Sequence, residues 1–363
     1  MMMRKNVSVL LLVILLAGIL ATSPLVNAAS DDFVARELKG KAIRNGKPLQ
    51  VGIAMADLYS EFTISMSEYA RWMLEQAGAK VTVANANFDT NNQMSQIMDF
   101  IQKGVDAILI QPTDCEAIAP AISKVNAAGI PLIAINRPVN GKGAVMDLGV
   151  FVDDVVLGRK AAEYAVGQAD GTSGKVLTVQ GVLATANARD RAKGFNAVDQ
   201  ESDKIKVISD RPCDWKAEDA MAAVVDTLAT NRDLLAVFSH SDCMLPGVVS
   251  GLKQGSKFYP VGHKQHVVVV SVDGAPFALD QIRKGYVDAT VENSPLMLAT
   301  VAVKGVLTRV AKGLPLNQET IMIDPIIVTK ANVDDPSLWG NFDVAKRQLW
   351  PMTERIWNEY LNY

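Results

Sequence analysis

The chain has 363 residues, 49% of them hydrophobic and 21% charged, with a net charge of −3. That length is enough for two domains, and the composition is that of an ordinary globular protein rather than a disordered or fibrous one. No basic block is present, which argues against a nucleic-acid binder that works by charge.

Residues 1–28 read as an export signal. Arg4 and Lys5 form a positive n-region, Val7–Ala21 is an apolar core too short for a comfortable membrane span, and Val26-Asn27-Ala28 is a small-residue cleavage site. No cysteine stands near it, so an acyl anchor is not expected. Cleavage near Ala28 removes Arg4 and Lys5 and takes the net charge to about −5. The three cysteines, Cys115, Cys213 and Cys243, are an odd number whose spacing makes no disulfide framework.

After a polar linker, strand and helix signals alternate. Leu49–Ala56 has the continuous apolar run of a buried parallel strand. Glu61–Gly78 follows as a helix, with Phe62, Met66, Tyr69 and Met73 on one face. Lys80–Asn87 reads as a strand, Asn92–Gly104 as a helix and Ala107–Pro112 as a strand. Thr113 and Glu116 are spaced as a capping box for a helix that reaches Gly129, before strand Pro131–Asn136. Around Phe151–Asp154 the pattern restarts. It gives helix Asp154–Gln168, strand Lys175–Gly181, helix Asn187–Asp199, strand Lys206–Asp210, helix Lys216–Thr230, strand Leu234–Ser239 and helix Asp242–Gln254. A long polar connection, Gly255–His266, leads to strand Val267–Asp273. Helix Pro276–Lys284, strand Asp288–Val291, helix Pro295–Lys312 and strand Thr320–Val328 complete the alternation. The tail Asn332–Tyr363 carries Trp339, Trp350 and Trp357 and reads as a helix docked on a lobe.

One unit occurs twice, as DAILIQPTDCEAI (Asp106–Ile118) and LLAVFSHSDCMLP (Leu234–Pro246). Each is an apolar run, a polar turn and then Asp-Cys opening a helical stretch. Two copies of one α/β lobe predict two open parallel sheets with right-handed crossovers. Ligands of such sheets bind outside the carboxyl ends of the strands, so two facing lobes make a cleft.

The segments VGIAMADLYSEF, DAILIQPTDCEAIAPAI, GIPLIAINRP, ANARDRAKGF, AVFSHSDCM and VSVDGAP, spread over the chain between Val51 and Val328, resemble, in this order, the periplasmic sugar-binding proteins of the ribose/galactose type. The resemblance implies an α/β fold of two Rossmann-like lobes, each a parallel sheet flanked by helices, joined by a three-strand hinge (periplasmic binding protein-like I). The crossovers should fall near Phe151–Asp153, Glu292–Ser294 and Pro325. It implies one lobe of residues 45–152 plus 293–324, a second of 153–292 plus 325–331, and an extension, 332–363, packed on a lobe. The ligand-binding residues it implies are Ser60, Phe62, Gln111, Asn136, Arg137, Arg189, Trp215, Ser241, Asp273 and Asn293. Departures at Ser60, Thr63, Asn136, Leu183 and Ser241 mix features of ribose and of glucose/galactose binders, so the sugar itself is left open.

These residue types suit a sugar. Phe62 and Trp215 could sandwich its C–H faces with little rotamer cost. Asp273 accepts from vicinal hydroxyls, and Arg137 and Arg189 donate in a fixed fork. The implied function is capture of a monosaccharide or polyol by hinge closure and delivery to an ABC permease in the inner membrane, by a monomeric, exported, periplasmic protein. A chemoreceptor or kinase partner, or a signalling sugar such as autoinducer-2, is the alternative. An enzyme is disfavoured, because no Gly-x-Ser-x-Gly elbow, dinucleotide turn or phosphate loop is present. No metal, cofactor or nucleic acid is expected. His263 and His266 lack a nearby third ligand and read as solvated loop residues, while His240 borders the expected cleft.

Overall fold

The computed structural model describes residues 31–169, 173–316 and 319–361, so the expected export signal lies outside the described residues. After a short hairpin of β1 (Ile43–Arg44) and β2 (Lys47–Pro48), the strands of a first sheet are β3 (Gln50–Met55), β4 (Lys80–Asn85), β5 (Ala107–Ile110), β6 (Leu132–Ile135) and β7 (Leu148–Val152). The second sheet is built from β8 (Gly174–Gln180), β9 (Ile205–Pro212), β10 (Leu234–Ser239), β11 (Val268–Asp273) and β12 (Ala289–Glu292). The chain then returns with β13 (Glu319–Ile323), which pairs parallel with β7, and crosses again to β14 (Ile326–Thr329), which pairs antiparallel with β12.

Both sheets have six strands and one order: β4-β3-β5-β6-β7-β13 and β9-β8-β10-β11-β12-β14. The first strand of each lobe is thus flanked by the second on one side and the third on the other. That reversal is the switch point at which open α/β sheets leave a crevice. The central strands β5 and β6 are buried at every residue, because helices cover both faces. The edge strand β9 alternates between buried or half-buried and exposed, as a strand with one wet face should.

Helices α1 (Glu61–Gln76), α2 (Thr90–Gln102) and α3 (Ala119–Ala127) serve the first sheet. Helices α4 (Asp154–Gln168), α5 (Ala186–Glu201), α6 (Ala217–Thr230), α7 (Leu245–Gln254) and α8 (Pro276–Lys284) serve the second. Helix α9 (Pro295–Val306) packs back on α1 and the first sheet. In α1 the predicted face Phe62, Met66, Tyr69 and Met73 is buried.

Three local expectations are corrected. The Thr113–Glu116 capping box does not form. Asp114 Oδ1 instead accepts from the backbone N–H of Glu116 and Ala117 at 2.8 and 2.9 Å, while the Thr113 hydroxyl donates to Thr90 and Gln93. An Asp carboxylate is the stronger acceptor for the free N–H groups of the turn that leads into α3, which itself starts at Ala119 without a side-chain cap. His266 is not a solvated loop residue: its Nε2 lies 2.8 Å from Asp288 Oδ2 and its Nδ1 2.7 Å from the Tyr259 carbonyl. His263 is the exposed one and stacks on Tyr259. Finally, the tail contacts both lobes rather than one. Val333 and Leu338 join the core of the second lobe, whereas Trp350 and the short helix α10 (Thr353–Glu359) join that of the first. Trp339 and Phe342, between these two sets, already pack in the same cluster as Trp350.

Candidate functional site

The carboxyl ends of the two sheets face each other across a cavity of about 410 Å³ of empty space, mouth included. Its lining comes from both lobes. Asp57 to Thr63 follow β3, Phe88 follows β4, Gln111 follows β5, and Asn136 and Arg137 follow β6; Asn187 and Arg191 stand on α5, Trp215 precedes α6, Ser241 and Cys243 follow β10, and Asp273 ends β11. These are the switch-point ends of both sheets.

Of the ten residues expected from sequence, eight line this cavity: Ser60, Phe62, Gln111, Asn136, Arg137, Trp215, Ser241 and Asp273. Asn293 reaches it through Asp273, to whose Oδ1 its Nδ2 donates at 3.4 Å. Arg189 does not join them. It is exposed, and its Nη1 donates to the carbonyls of Leu183 and Ala184 at 2.9 Å each. The cation that joins Arg137 in the cavity is Arg191. Asn187 and Arg191 are four apart and share one face of α5, while Arg189 lies two residues from each and faces the other way. That spacing was the signal in the sequence. Asp57, Tyr59, Phe88 and Cys243 also line the cavity without having been expected to.

Arg137 and Arg191 are both buried and both held from several sides. Arg137 Nε donates to Asn187 Oδ1 at 2.6 Å, and its Nη1 to the Pro112 carbonyl at 3.2 Å. Because Arg137 belongs to the first lobe and Asn187 to the second, this bond joins the lobes directly. Arg191 Nε donates to Asp154 Oδ1 at 2.7 Å, its Nη1 donates to the His240 carbonyl, and the same Nη1 lies 3.5 Å from Asp273 Oδ1. Burial pushes the Asp154 and Asp273 carboxyls up from their ordinary range, and Arg191 pulls them back only in part. Burial likewise lowers Arg137, with the Asp57 carboxylate opposing it. Burial works against the charge of Arg191 too, but Asp154 and Asp273 outweigh it and its pKa is raised. His240 is fully buried, donates and accepts nothing through its ring, and is held neutral, its pKa pushed down to about 3 by burial and then by Arg191.

The small polar groups position one another. Ser60 caps α1 by accepting from the Thr63 N–H at 3.2 Å, and the Thr63 hydroxyl donates to Asp57 Oδ1 at 3.0 Å. Ser241 donates to Asp273 Oδ2 at 2.5 Å. Asp273 does not cap the helix that follows it; Asp242 accepts from the Ala275 N–H at 2.7 Å instead. Among the residues that line the cavity, three side-chain atoms are left over. Both side-chain polar atoms of Gln111 and the indole Nε1 of Trp215 are buried with no partner. A buried polar group without a partner costs about 1–3 kcal/mol, so such groups mark where an exogenous polar partner is accommodated.

Backbone strain collects here as well. Phe88, Asn136, Trp215 and Asp273 have φ of 62°, 64°, 63° and 120°, a region that side chains other than glycine rarely adopt. Strain of this kind costs about 1–3 kcal/mol per residue and clusters at ligand clamps. Trp215 also depends on Gly181. A Cβ at position 181 would lie 2.0 Å from the Trp215 ring, so only glycine lets the indole lie flat over the strand end. Chemically, the cavity offers two rings from opposite lobes, Phe62 and Trp215. Between them are two guanidiniums balanced by two lining carboxylates, Asp57 and Asp273, and several neutral amides and hydroxyls. Among the described residues, no group of three or more His, Cys, Asp or Glu side chains is placed to hold a metal ion.

A family model described as a periplasmic binding protein domain matches residues 51–314. The chain is 31% identical over 259 residues to the ribose import binding protein RbsB of Bacillus subtilis, covering 71% of this chain and 80% of that protein. It is 25% identical over 300 residues to a xylitol-binding protein of Mycolicibacterium smegmatis, covering 81% of each. Among solved structures, the Caulobacter myo-inositol binding protein superposes with a TM-score of 0.75 at 22% identity, over 83% of this chain and 99% of that one. A galactofuranose binding protein superposes with a TM-score of 0.73 at 21% identity, over 79% and 97%.

Proposed function

The chain belongs to the family of the periplasmic binding protein domain, as a type I periplasmic sugar-binding protein, and on that premise we propose that it captures one neutral monosaccharide or polyol between its lobes and hands it to an ABC permease. The observation that carries the neutral, polyhydroxylated ligand is the pairing in the cleft. Its two buried guanidiniums are matched by two lining carboxylates, while Gln111 and the Trp215 indole, on opposite lobes, have buried polar atoms without partners. A phosphorylated sugar or sugar acid would need an uncompensated cation. A ring of hydroxyls, each both donor and acceptor, satisfies amide, indole and carboxylate together.

The ten site residues take these roles with one exchange: Arg191 serves where Arg189 was expected. Phe62 and Trp215 clasp the C–H faces. Asp273, oriented by Ser241 and Asn293, accepts from adjacent hydroxyls. Arg137 and Arg191 donate. Ser60, Gln111 and Asn136 complete the first-lobe side. Closure follows from the two-lobe lining, since a ligand held by both lobes favours the state in which they meet. Relatives of this chain are binding proteins for ribose, xylitol and galactofuranose, and we read this protein in the same way as an exported binding protein rather than an enzyme. The lobes are residues 45–152 plus 293–324 and 153–292 plus 325–331.

The test is thermal unfolding of the chain from Ala29 onward against D-ribose, xylitol, myo-inositol, D-galactose, glycerol and D-galacturonate. A compound that binds only the folded state at ~100 times its Kd adds about 2.7 kcal/mol of stability. One neutral compound should stand out, and Trp215→Ala should abolish its effect. No response from folded, ligand-free protein, or a best response to the galacturonate, would sink this reading.

A further inference from the structure

We propose that residues 332–361 form a fourth connection between the lobes, one that restrains their opening, and that Trp339 within it is a positioning residue for the cleft. Three crossings join the lobes, at the ends of β7, β12 and β13. After β14 the chain does not stop. It first follows the second lobe: Arg283 donates from Nε to Asp334 Oδ1 at 2.7 Å and from Nη2 to the Val333 carbonyl at 3.0 Å and to Asn341 Oδ1. It then crosses. The very next residue, Phe342, meets the Tyr69 ring of α1 edge-on at 6.3 Å. From there it is fixed to the first lobe. The Tyr69 hydroxyl accepts from the Trp350 N–H at 3.0 Å and pairs with the Thr353 hydroxyl at 2.5 Å, Arg36 meets Glu354 at 2.6 Å, and Trp357 packs edge-on against Phe33.

Trp339 stands where this connection touches the cleft. It is fully buried, and its indole Nε1 donates to the Asp273 carbonyl at 2.6 Å, fixing a residue whose φ of 120° needs support. Its backbone N–H donates to Glu292 Oε1 at 3.1 Å, at the end of β12 where the chain crosses between lobes. Its ring meets the edge of Phe62 from the first lobe at 6.3 Å. One side chain thus bears on a cleft residue from each lobe. The approach requires Gly340, where a Cβ would lie 2.2 Å from the Gly274 carbonyl. The connection begins beyond residue 314, where the family match ends.

The connection is tested without any sugar. A protease site inserted after the exposed Asp343 allows the chain to be cut once it has folded, so folding is not in question. Small-angle scattering is then recorded on intact, cut and Trp339→Phe protein. The radius of gyration of the sugar-free protein should rise on cutting and, by less, in Trp339→Phe, which keeps a ring against Phe62 but loses the donor to Asp273. Superimposable curves for intact and cut protein overturn the restraint. The positioning role rests on the binding reading above, and affinity decides it. For whichever of D-ribose, xylitol and myo-inositol gives the largest thermal shift, Trp339→Phe should bind about fivefold more weakly, the value of one hydrogen bond. Unchanged affinity, with or without a lower Tm, overturns it. If none of the three binds, the binding reading fails while the scattering still decides the connection, and an unchanged curve for Trp339→Phe then overturns the role of that residue.

Discussion

Two arginines on one turn of α5 provide a sharp test of how the cleft is held. Arg191 has a side chain only 3% exposed, set between the Asp154 carboxylate at 2.7 Å and the Asp273 carboxylate at 3.5 Å. Its replacement in Arg191→Met leaves both carboxylates buried without their cation. Removing one partner of a buried pair costs about 3–5 kcal/mol, because the remaining charge has neither water nor counterion. Arg189 is exposed, and its guanidinium bonds only to carbonyls of its own preceding turn, so Arg189→Met should stay within about 0.5 kcal/mol of wild type. Urea unfolding at pH 7 measures both. A pH series adds the sign. Both acids already lie above their ordinary values because burial disfavours their charge. A raised carboxyl takes stability away as pH rises from its unfolded value through its folded one, so losing Arg191 should make stability fall more steeply as pH rises above the ordinary carboxyl range. Equal losses in the two variants, or a loss below about 1 kcal/mol for Arg191→Met, would refute the argument that this guanidinium neutralises the cleft.

Glu292 is buried, which pushes its pKa up to about 7 against the opposing Trp339 N–H. Its folded value exceeds its unfolded one, so it destabilises progressively as pH rises from about 4 to 7; Glu292→Gln should add up to about 3 kcal/mol at pH 8 and nothing at pH 4. Asp242, raised by burial to about 8, titrates nearby, so the quantity to plot is the difference between variant and wild type across pH; a flat difference contradicts the assignment. In Gly181→Ala the new methyl collides with the Trp215 ring, and overpacking of this kind should cost about 1–3 kcal/mol and alter tryptophan emission. Unchanged emission and stability would mean that the indole does not lie on the strand end. Tyr69→Phe removes the acceptor of the buried Trp350 N–H and the partner of Thr353, and the urea midpoint should fall by the equivalent of about 1–3 kcal/mol at constant m-value. A loss under about 0.5 kcal/mol would show that the tail is not anchored through this hydroxyl.

Much of the architecture was legible in the chain because its signals are local. Continuous apolar runs such as AILI and LIAI announce strands covered on both faces, and their alternation with helical periods leaves little besides two parallel sheets. The repeated Asp-Cys unit located corresponding strand ends in both sheets, and polar residues at strand ends marked Gln111, Asn136, Ser241 and Asp273. Where reading failed, the deciding quantity was angular or long-range. Arg189 and Arg191 are equally good cations on paper, and the phase of α5 selects between them. Thr113 lost its capping role to Asp114 by a difference of one residue in where the turn closes. Phe88 gives no local sign of its place in the cleft, since nothing in its residue type announces the left-handed φ it adopts.

What the sequence determined by itself is the pattern of elements, the pairing of like lobes and the strand ends that carry polar and aromatic groups, since these depend on neighbours within a few residues. Only the tertiary structure decided which helix face enters the cleft, how Arg137 and Asn187 join one lobe to the other, and that a tail of three tryptophans spans both lobes. Those outcomes depend on groups 50 or more positions apart, such as Trp339 on Asp273 and Tyr69 on Thr353, which stand within hydrogen-bonding distance only because the tertiary fold brings them together.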